Sequence, residues 1–419
     1  MRIACSRKGA VEFTARLSRI QWAATKQSGP GTLTMTGTSM GQPGDLRYEA
    51  QVRVLVKGGT VSTGGGRITV KGADEAVILI AAGTDYILDY GKSFKGPDPH
   101  AAVSKALNAA SGWSVAAMKG DHIKDYQRFF RRVSLNLGRT ANALLPTDQR
   151  LRRFSAGEED PGLITLFYQF GRYLLISSSR PENVLPSNSQ GIWGDGLKLP
   201  WGCDYKSNIN FEMNYWPAEI ANLSECHTPM LRLIASLVEG GRKTAKAYFD
   251  APGWVMAYTT NVWGWTAPGS SGPWGPFFCG GAWVCQHLWE HYSFTRDREY
   301  LSGIYPVMKG ASEACLHMLV EDGKGKLITN PSTSPVRRRV GFRDGPLRFA
   351  PDAGGAFGLA RWRSERPAGA WGNRSGSELE GRQSGIGDLP AGGGFDMARA
   401  SSAGTKDLGD SIQERRGGA

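Results

Sequence analysis

The sequence predicts a mixed fold in which an all-β part precedes a helical part built around a pocket. Three observations predict it. Short β-rich segments separated by glycine-rich turns fill the first 92 residues. Apolar residues recur at helical spacing from about residue 100 onward. Long loops rich in Trp, Gly and Pro separate several of the later helices, a pattern typical of a helical toroid with a pocket at one end.

The β part is predicted from strand-like runs at Val52–Val56, Ile68–Val70 and Ala76–Ile80, with a glycine turn at residues 64–66. The segment starts without a clear opening element. We therefore expect residues 1–95 to be the later part of an all-β domain.

Residues 96–140 are expected to connect the two parts, with helical spacing between His100 and Phe130 and a short strand at Val133–Leu137. From about residue 160 the spacing is helical again. An apolar face is predicted on the next helix, formed by Leu163, Leu166, Phe167, Phe170, Tyr173 and Leu174. Further helices are expected around residues 211–222, 225–248, 280–294 and 298–321.

The last segment, residues 337–419, has a different composition. Only 12 of its 83 residues are Leu, Ile, Val or Phe, which is below the roughly 20% typical of a packed core. Helical patterning also stops after Pro335. We expect this tail to be disordered or to be out-of-frame sequence.

Composition argues against several classes of protein. The net charge is +12, but residues 337–419 hold 14 Lys and Arg against 10 Asp and Glu, and no basic stripe is interleaved with aromatic residues. Nucleic-acid binding is therefore not expected. No run approaches the ~18 apolar residues of a membrane span, and no signal peptide is visible. The six cysteines are scattered without a CxxC pair, which argues against a disulfide framework or a zinc knuckle.

Tryptophans are concentrated in one part of the helical region. Nine of the 13 fall between Trp193 and Trp289. Flat indole rings stack on the apolar C–H faces of sugars, whereas the alternative for any single tryptophan is a place in the core. The cluster therefore favours a carbohydrate ligand.

Two asparagines stand out in the densest polar and aromatic stretch, Trp201 to Glu219. Asn208 and Asn210 are two residues apart, and on an extended backbone their side chains would point to the same side. Two amides on one side could hold a water or a hydroxyl. The alternative is that they are turn or N-cap residues before the next helix.

An amide is a poor proton acceptor, so hydrolysis would need a carboxylate beside these asparagines. Glycoside hydrolysis normally uses two carboxyls. The local candidates are Asp204, Glu212 and Glu219. Each could instead be a helix-surface or capping residue.

A zinc-peptidase pattern, H-x-x-E-H, occurs at His287, Glu290 and His291. These side chains would lie close together on a helix, but a zinc site would need a further protein ligand. Trp283, Trp289 and Tyr292 around the pattern suit a packed helix equally well. A metallopeptidase is therefore a weaker alternative.

At these residues the chain resembles glycoside hydrolase family 95 over about residues 50–335. The resemblance depends on several long blocks in the same order. They are Ser178–Pro181, Leu185–Trp193, Trp201–Glu219, Asn222–His227, Gly281–His291 and Asn330–Pro335.

The resemblance implies a partial N-terminal β-sandwich (residues 1–95), a helical linker (96–140) and the first part of an (α/α)6 barrel (141–336). It implies inverting hydrolysis of terminal α-L-fucose, typically α-1,2-linked, with related α-L-galactosidase activity in the family. The substrate would be a fucosylated glycan, and no cofactor or metal is implied. A secreted or extracellular location is typical of the family.

The role of the asparagine pair is also implied by the resemblance, whereas the substrate-binding residues are expected from their type and position. Asn208 and Asn210 match the asparagine pair that orients and activates the attacking water. The residues expected to bind the substrate are Trp193, Trp201, Asp204, Glu212 and Trp216.

The chain also departs from the family pattern. The position of the general acid, directly after Asn330–Pro335, is Val336, and no later segment resembles the helix that carries the aspartate partner of the base. Residues 253–261 lack the family's histidines. We expect a chain truncated at both ends, prone to aggregate and impaired in catalysis, and the alternative is a glycan-binding remnant without activity.

Overall fold

The computed structural model describes residues 1–42, 44–269 and 275–330. Val336 and the predicted tail at 337–419 lie outside the described residues. The first part of the chain contains eight β-strands: β1 (Arg2–Ala4), β2 (Val11–Arg16), β3 (Ala23–Gly29), β4 (Thr32–Thr38), β5 (Arg47–Lys57), β6 (Thr60–Gly64), β7 (Arg67–Ala73) and β8 (Glu75–Thr84).

These strands form two antiparallel sheets that share one core. The larger has the order β1-β8-β5-β4-β3 and the smaller has the order β2-β7-β6. Buried residues alternate along the strands. Ile68 and Val70 of the smaller sheet belong to the same buried cluster as Leu33, Val52 and Val54 of the larger sheet. The two sheets therefore cover each other's apolar faces.

The tight connection between β5 and β6 depends on glycine. Gly58 and Gly59 have φ values of +69° and +63°, in the left-handed region. A Cβ on Gly59 would lie 2.3 Å from the carbonyl oxygen of Lys71, so any side chain there would displace the backbone of β7.

Helices dominate after the sandwich. They are α1 (His100–Ser111), α2 (Val115–Phe130), α3 (Thr147–Ser155), α4 (Pro161–Ser178), α5 (Asn210–Tyr215), α6 (Pro217–Ile220), α7 (Ser224–Ser236), α8 (Val238–Phe249), α9 (Gly280–Thr295) and α10 (Arg298–His317). A hairpin of β9 (Leu319–Glu321) and β10 (Leu327–Thr329) follows α10. Within the described ranges, no helix has the length and apolar character needed to cross a membrane.

The prediction of a sheet-rich first part and a helical later part is confirmed. The predicted strands at 52–56, 68–70 and 76–80 lie within β5, β7 and β8. The strand at 133–137 was wrong, because the Val133 carbonyl accepts bonds from the side chains of Gln169 and Arg172 and the segment stays irregular.

The later helices begin and end at different residues from those predicted. The expected helix at 225–248 divides at Leu237 into α7 and α8, and the one at 298–321 ends at His317 before β9. The described helices do not by themselves show a closed (α/α)6 barrel.

Helix α1 joins the sandwich to the helical part by packing on β5 and β8. Its buried residues are Val103 and Leu107. The guanidinium group of Arg53 donates to the Ser111 hydroxyl at 2.9 Å, which fixes the end of α1 over the sheet.

A buried arginine connects α2, α4 and α6. Arg172 on α4 is 2% exposed and donates to the carbonyl oxygens of Phe129 (3.0 Å), Phe130 (2.8 Å) and Ala221 (3.3 Å). These carbonyls lie at helix ends, where intrahelical partners are lacking. One side chain therefore joins the end of α2 to the end of α6 through three carbonyl oxygens.

The helical core and the face of α4 contrast in burial. Met230 and Leu233 of α7, Val284 and Leu288 of α9, and Trp254 are almost fully buried in one cluster. The predicted apolar face of α4 is largely open among the described residues. Its exposed members are Leu166, Phe167, Phe170 and Tyr173, with Phe167 78% exposed.

Candidate active site

Three loops meet beside the start of α5, and we call them the three-loop surface. They are residues 186–191, 203–210 and 256–261. The Tyr205 and Thr260 backbones pair in both directions at 2.9 Å, and the Tyr205 hydroxyl donates to the Pro186 carbonyl at 3.2 Å. The buried Tyr205 is therefore the common support of all three loops.

Helix α5 holds the first of these loops in place. The Tyr215 hydroxyl accepts from the Ser187 backbone N–H at 2.7 Å and donates to Ser179 Oγ at 2.8 Å. The neighbouring residue, Asn214, donates from its Nδ2 to the Asn188 carbonyl at 3.1 Å. The loop that carries Asn188 is thus held by hydrogen bonds to a buried helix.

Asp204 lies at the centre of the surface and is half-buried. Its Oδ2 accepts from Lys206 Nζ at 2.8 Å and from Thr259 Oγ1 at 3.0 Å. Three buried oxygens here have no partner among the described residues: Asp204 Oδ1, Gln190 Oε1 and Thr260 Oγ1. The two bonds to Oδ2 fix the orientation of the Asp204 carboxylate within the three-loop surface.

The two asparagines do not lie on an extended strand, which corrects the geometric expectation. Asn208 is in a turn and Asn210 is the first residue of α5, with Ile209 between them at φ 176° and ψ −41°. Asn208 is partly buried and Asn210 is exposed at the edge of the three-loop surface. Their catalytic role stays a prediction.

Three tryptophans predicted to bind sugar have accessible rings. Trp201 is 73% exposed and has φ +53°, while Trp193 and Trp216 are about half exposed. Trp193 follows directly on the first loop, and its backbone N–H donates to the Gln190 carbonyl. Trp254, in contrast, is a core residue whose Nε1 donates to the Val307 carbonyl at 2.8 Å.

The burial of Glu212 argues against its predicted direct contact with substrate. Its side chain is fully buried, and neither carboxyl oxygen has a partner among the described residues. Burial raises the pKa of Glu212 to about 8, so the group is mainly protonated at neutral pH. A glycan at the surface cannot reach this carboxyl.

A second cluster joins α6, α7 and α9. Oε1 of Glu219 lies 2.7 Å from Nδ1 of His227 and 2.7 Å from Nδ1 of His291, and its other oxygen accepts from Ser224 Oγ. Nε2 of His227 lies 2.9 Å from Nδ1 of His287. Glu219 and His227 are buried, whereas the His291 side chain is partly accessible.

The charges in this cluster follow from burial and hydrogen bonding. Burial acts to raise the pKa of Glu219, but the bonds from His227, His291 and Ser224 together outweigh it and hold that pKa well below its usual range. Burial lowers the pKa of His227 and lowers that of His287 to about 3. The carboxylate is therefore ionised, and His227 is a neutral ring that donates through Nδ1 and accepts from His287.

In these contacts the two histidines of the H-x-x-E-H pattern have different partners. His291 bonds to Glu219, while His287, one turn earlier on α9, bonds to His227 instead. Glu290 belongs to neither contact. The group that could hold a metal ion is Glu219, His227 and His291, whose ligand atoms lie within 4.8 Å of one another.

Comparison with known proteins identifies the family. A sequence model described as the glycosyl hydrolase family 95 catalytic domain matches residues 114–344, and one described as the glycosyl hydrolase family 65 N-terminal domain matches residues 1–88. The chain belongs to glycosyl hydrolase family 95.

Named relatives agree with this family 95 assignment. The chain is 37% identical over 293 residues to alpha-L-fucosidase 2 of Arabidopsis thaliana, covering 68% of this chain and 34% of that protein. It is 35% identical over 304 residues to the probable alpha-fucosidase A of Aspergillus niger, covering 69% and 38%. The chain thus spans little more than a third of the length of these relatives.

A solved structure shares the fold. The putative kojibiose phosphorylase from human microbiome superposes with a TM-score of 0.52 at 12% identity, covering 76% of this chain and 40% of that one. At this identity the likeness concerns the fold alone.

The sequence of this family 95 chain does not predict the Glu219 cluster as a unit. It indicates Glu219 as a carboxylate for hydrolysis and His287 and His291 as zinc ligands, and it assigns no role to His227. The one signal in the sequence is that Glu219 and His227 are eight residues apart in a helical stretch. Only the packing of the helices shows that α9 lies against these two residues.

Proposed function

We propose that this family 95 chain derives from an enzyme that hydrolyses terminal α-L-fucosyl linkages in glycans, α-1,2-linkages above all, with inversion of configuration. The observation that supports this most is the identity of 35–37% to two proteins named as α-fucosidases over about 68% of the chain. The helical part would then be the first portion of an (α/α)6 barrel.

In this proposal Asn208 and Asn210 orient the attacking water. Both lie where a rigid turn enters α5, directly after the buried Ser207, whose hydroxyl donates to the Ala257 carbonyl at 2.8 Å. A side chain on a turn anchored at both ends loses little freedom when it holds a water. Such positioning is what an amide pair can supply, since it cannot accept the proton.

The glycan would lie across the three-loop surface. Trp193, Trp201 and Trp216 offer exposed rings for stacking on sugar faces, and the partly exposed carboxylate of Asp204 would accept from a sugar hydroxyl. Glu212 would act from below as a buried neutral group that supports α5. Its position in the core makes it a positioning residue in this proposal.

Catalysis by the chain as written is proposed to be weak. The acid position implied by the family resemblance is Val336, which cannot protonate a leaving oxygen. Loss of a general acid commonly costs ~10²–10⁴-fold in rate. A substrate whose leaving group needs no proton should suffer much less.

That difference gives a direct test. The chain is assayed on a 2'-fucosylated oligosaccharide and on α-L-fucosyl fluoride, whose fluoride departs without protonation. We expect slow fluoride hydrolysis, because the aspartate partner of the base is also unmatched in this chain. That activity should be lost in Asn208→Ala and unchanged in Asn108→Ala, an exposed control on α1. Hydrolysis of the oligosaccharide should be at least a hundred-fold slower.

Two outcomes would contradict the proposal. Equal rates on both substrates would show that an acid is present, and full activity of Asn208→Ala would remove the asparagine pair from the mechanism. Fucose binding without hydrolysis of either substrate would favour the second candidate, a glycan-binding remnant, which the residue at position 336 specifically suggests.

A further inference from the structure

We propose that Glu219, His227 and His291 form a binding site for one divalent transition-metal ion, with zinc the best match to the ligands. The inference is independent of the fucosidase proposal. It depends on one ligand atom from each of three helices, all within 4.8 Å of one another. Oε1 of Glu219 lies 2.7 Å from Nδ1 of each histidine.

The donor set suits zinc. Two imidazole nitrogens and one carboxylate oxygen are common zinc ligands, and a fourth position is usually taken by water or another light donor. Ser224 Oγ lies 3.3 Å from Nδ1 of His291 and also contacts Glu219, so a small oxygen donor already stands beside the group.

The His227 ring is fixed as in known metal sites, where the second ring nitrogen of a ligating histidine is itself hydrogen-bonded. Nε2 of His227 faces Nδ1 of His287 at 2.9 Å. When metal binds Nδ1 of His227, its proton moves to Nε2 and the bond to His287 reverses direction. His287 then carries its own proton on Nε2, so no proton is gained or lost by the pair.

The rings are also held from the side. The Tyr215 ring stacks on His227 at 5.7 Å and 13°, and the Tyr300 ring packs edge-on against His291 at 4.8 Å. These contacts restrict rotation of both imidazoles. Because Tyr215 also bonds the Ser187 N–H, an ion here would brace the loop that carries Asn188.

Burial would also shield a bound ion from bulk water. The Glu219 and His227 side chains are each 1% exposed. The accessible edge of His291 provides a route of entry.

The experiment uses the full chain, freed of metal with EDTA and then titrated with zinc chloride by calorimetry. Cobalt(II) is added in parallel to record the d–d absorption of a four-coordinate site. We expect about one zinc per chain, the cobalt bands, and a melting temperature that rises by several degrees with zinc.

Variants locate the site. His291→Ala is chosen because its side chain is partly accessible and its loss is tolerable to the fold, and zinc affinity should fall at least tenfold. His122→Ala, an exposed histidine on α2, is the matched control and should bind as the parent does. Glu219→Gln, which keeps the shape but not the charge, should weaken zinc binding as well.

Three results would overturn the inference. They are no zinc uptake by the folded parent chain, unchanged affinity in His291→Ala, and an equal loss in His122→Ala, which would indicate binding to surface histidines. Since none of these readouts is fucose release, failure of the fucosidase proposal would leave the result intact.

Discussion

The sandwich and helix α4 use similar apolar residues with opposite outcomes. In the sandwich, Ile68 is fully buried because the second sheet lies directly across from it. On α4, Phe167 belongs to an equally regular apolar face yet is mostly exposed among the described residues. Periodicity therefore identifies a face that can be buried, while burial itself requires a partner element in the fold.

The largest test of this contrast compares two truncations. Ile68→Ala removes buried methyl groups between the sheets and should cost about 2–5 kcal/mol in the free energy of unfolding. Phe167→Ala should change it by no more than about 0.5 kcal/mol. Urea unfolding followed by fluorescence measures both, and similar losses would show that α4 is covered in solution.

A second test concerns the buried carboxyl of Glu212. Its pKa is raised from 4.5 to about 8, so the folded state holds the proton more tightly than the unfolded state. The stabilisation is complete below about pH 4.5 and is lost as the pH rises toward 8, by up to about 1.4 kcal/mol per pH unit.

Glu212→Gln cannot titrate, so its stability should be flatter across the same window. The measurement is urea unfolding of both chains at several pH values between 5 and 8, with the difference between chains isolating this one group. Parallel curves would mean that folding does not raise the pKa of Glu212, and they would contradict the prediction.

The substitution with the smallest expected effect on stability tests the exposed apolar face of α4 most directly. Phe167→Ser should leave the free energy of unfolding within about 0.5 kcal/mol but lower self-association, because it removes an exposed aromatic ring from an apolar face. Sedimentation velocity gives the oligomer distribution. Ile20→Ser, a substitution of an exposed apolar residue just before β3, is the control that should change nothing.

The prediction of the fold succeeded where local pattern and final environment agree. Strand residues 52–56 and 68–70 alternate, and both fall within strands of the sandwich. The failures occurred where a side chain from elsewhere decided the backbone. The segment 133–137 is β-like in composition, but Gln169 and Arg172 bond the Val133 carbonyl and take the place of a neighbouring strand.

The candidate site shows the same division. The residue types around Asn208 and Asn210 indicated a carbohydrate-directed chain, and the family match supports that origin. The sequence did not predict their geometry. Two side chains that are two residues apart point to the same side only when the backbone is extended. Here Asn208 stands in a turn and Asn210 begins a helix.

By itself the sequence determined the order of sheet and helix, the family, and the stretch in which polar and aromatic residues are concentrated. Only the tertiary structure decided that Glu212 is buried and that the apolar face of α4 is exposed among the described residues. It also decided that His291 hydrogen-bonds to Glu219 rather than acting with Glu290. The physical reason is that burial and hydrogen-bond partnership depend on residues far apart in the chain. Glu219 and His291 are 72 positions apart, and a local sequence pattern cannot predict a contact over that separation.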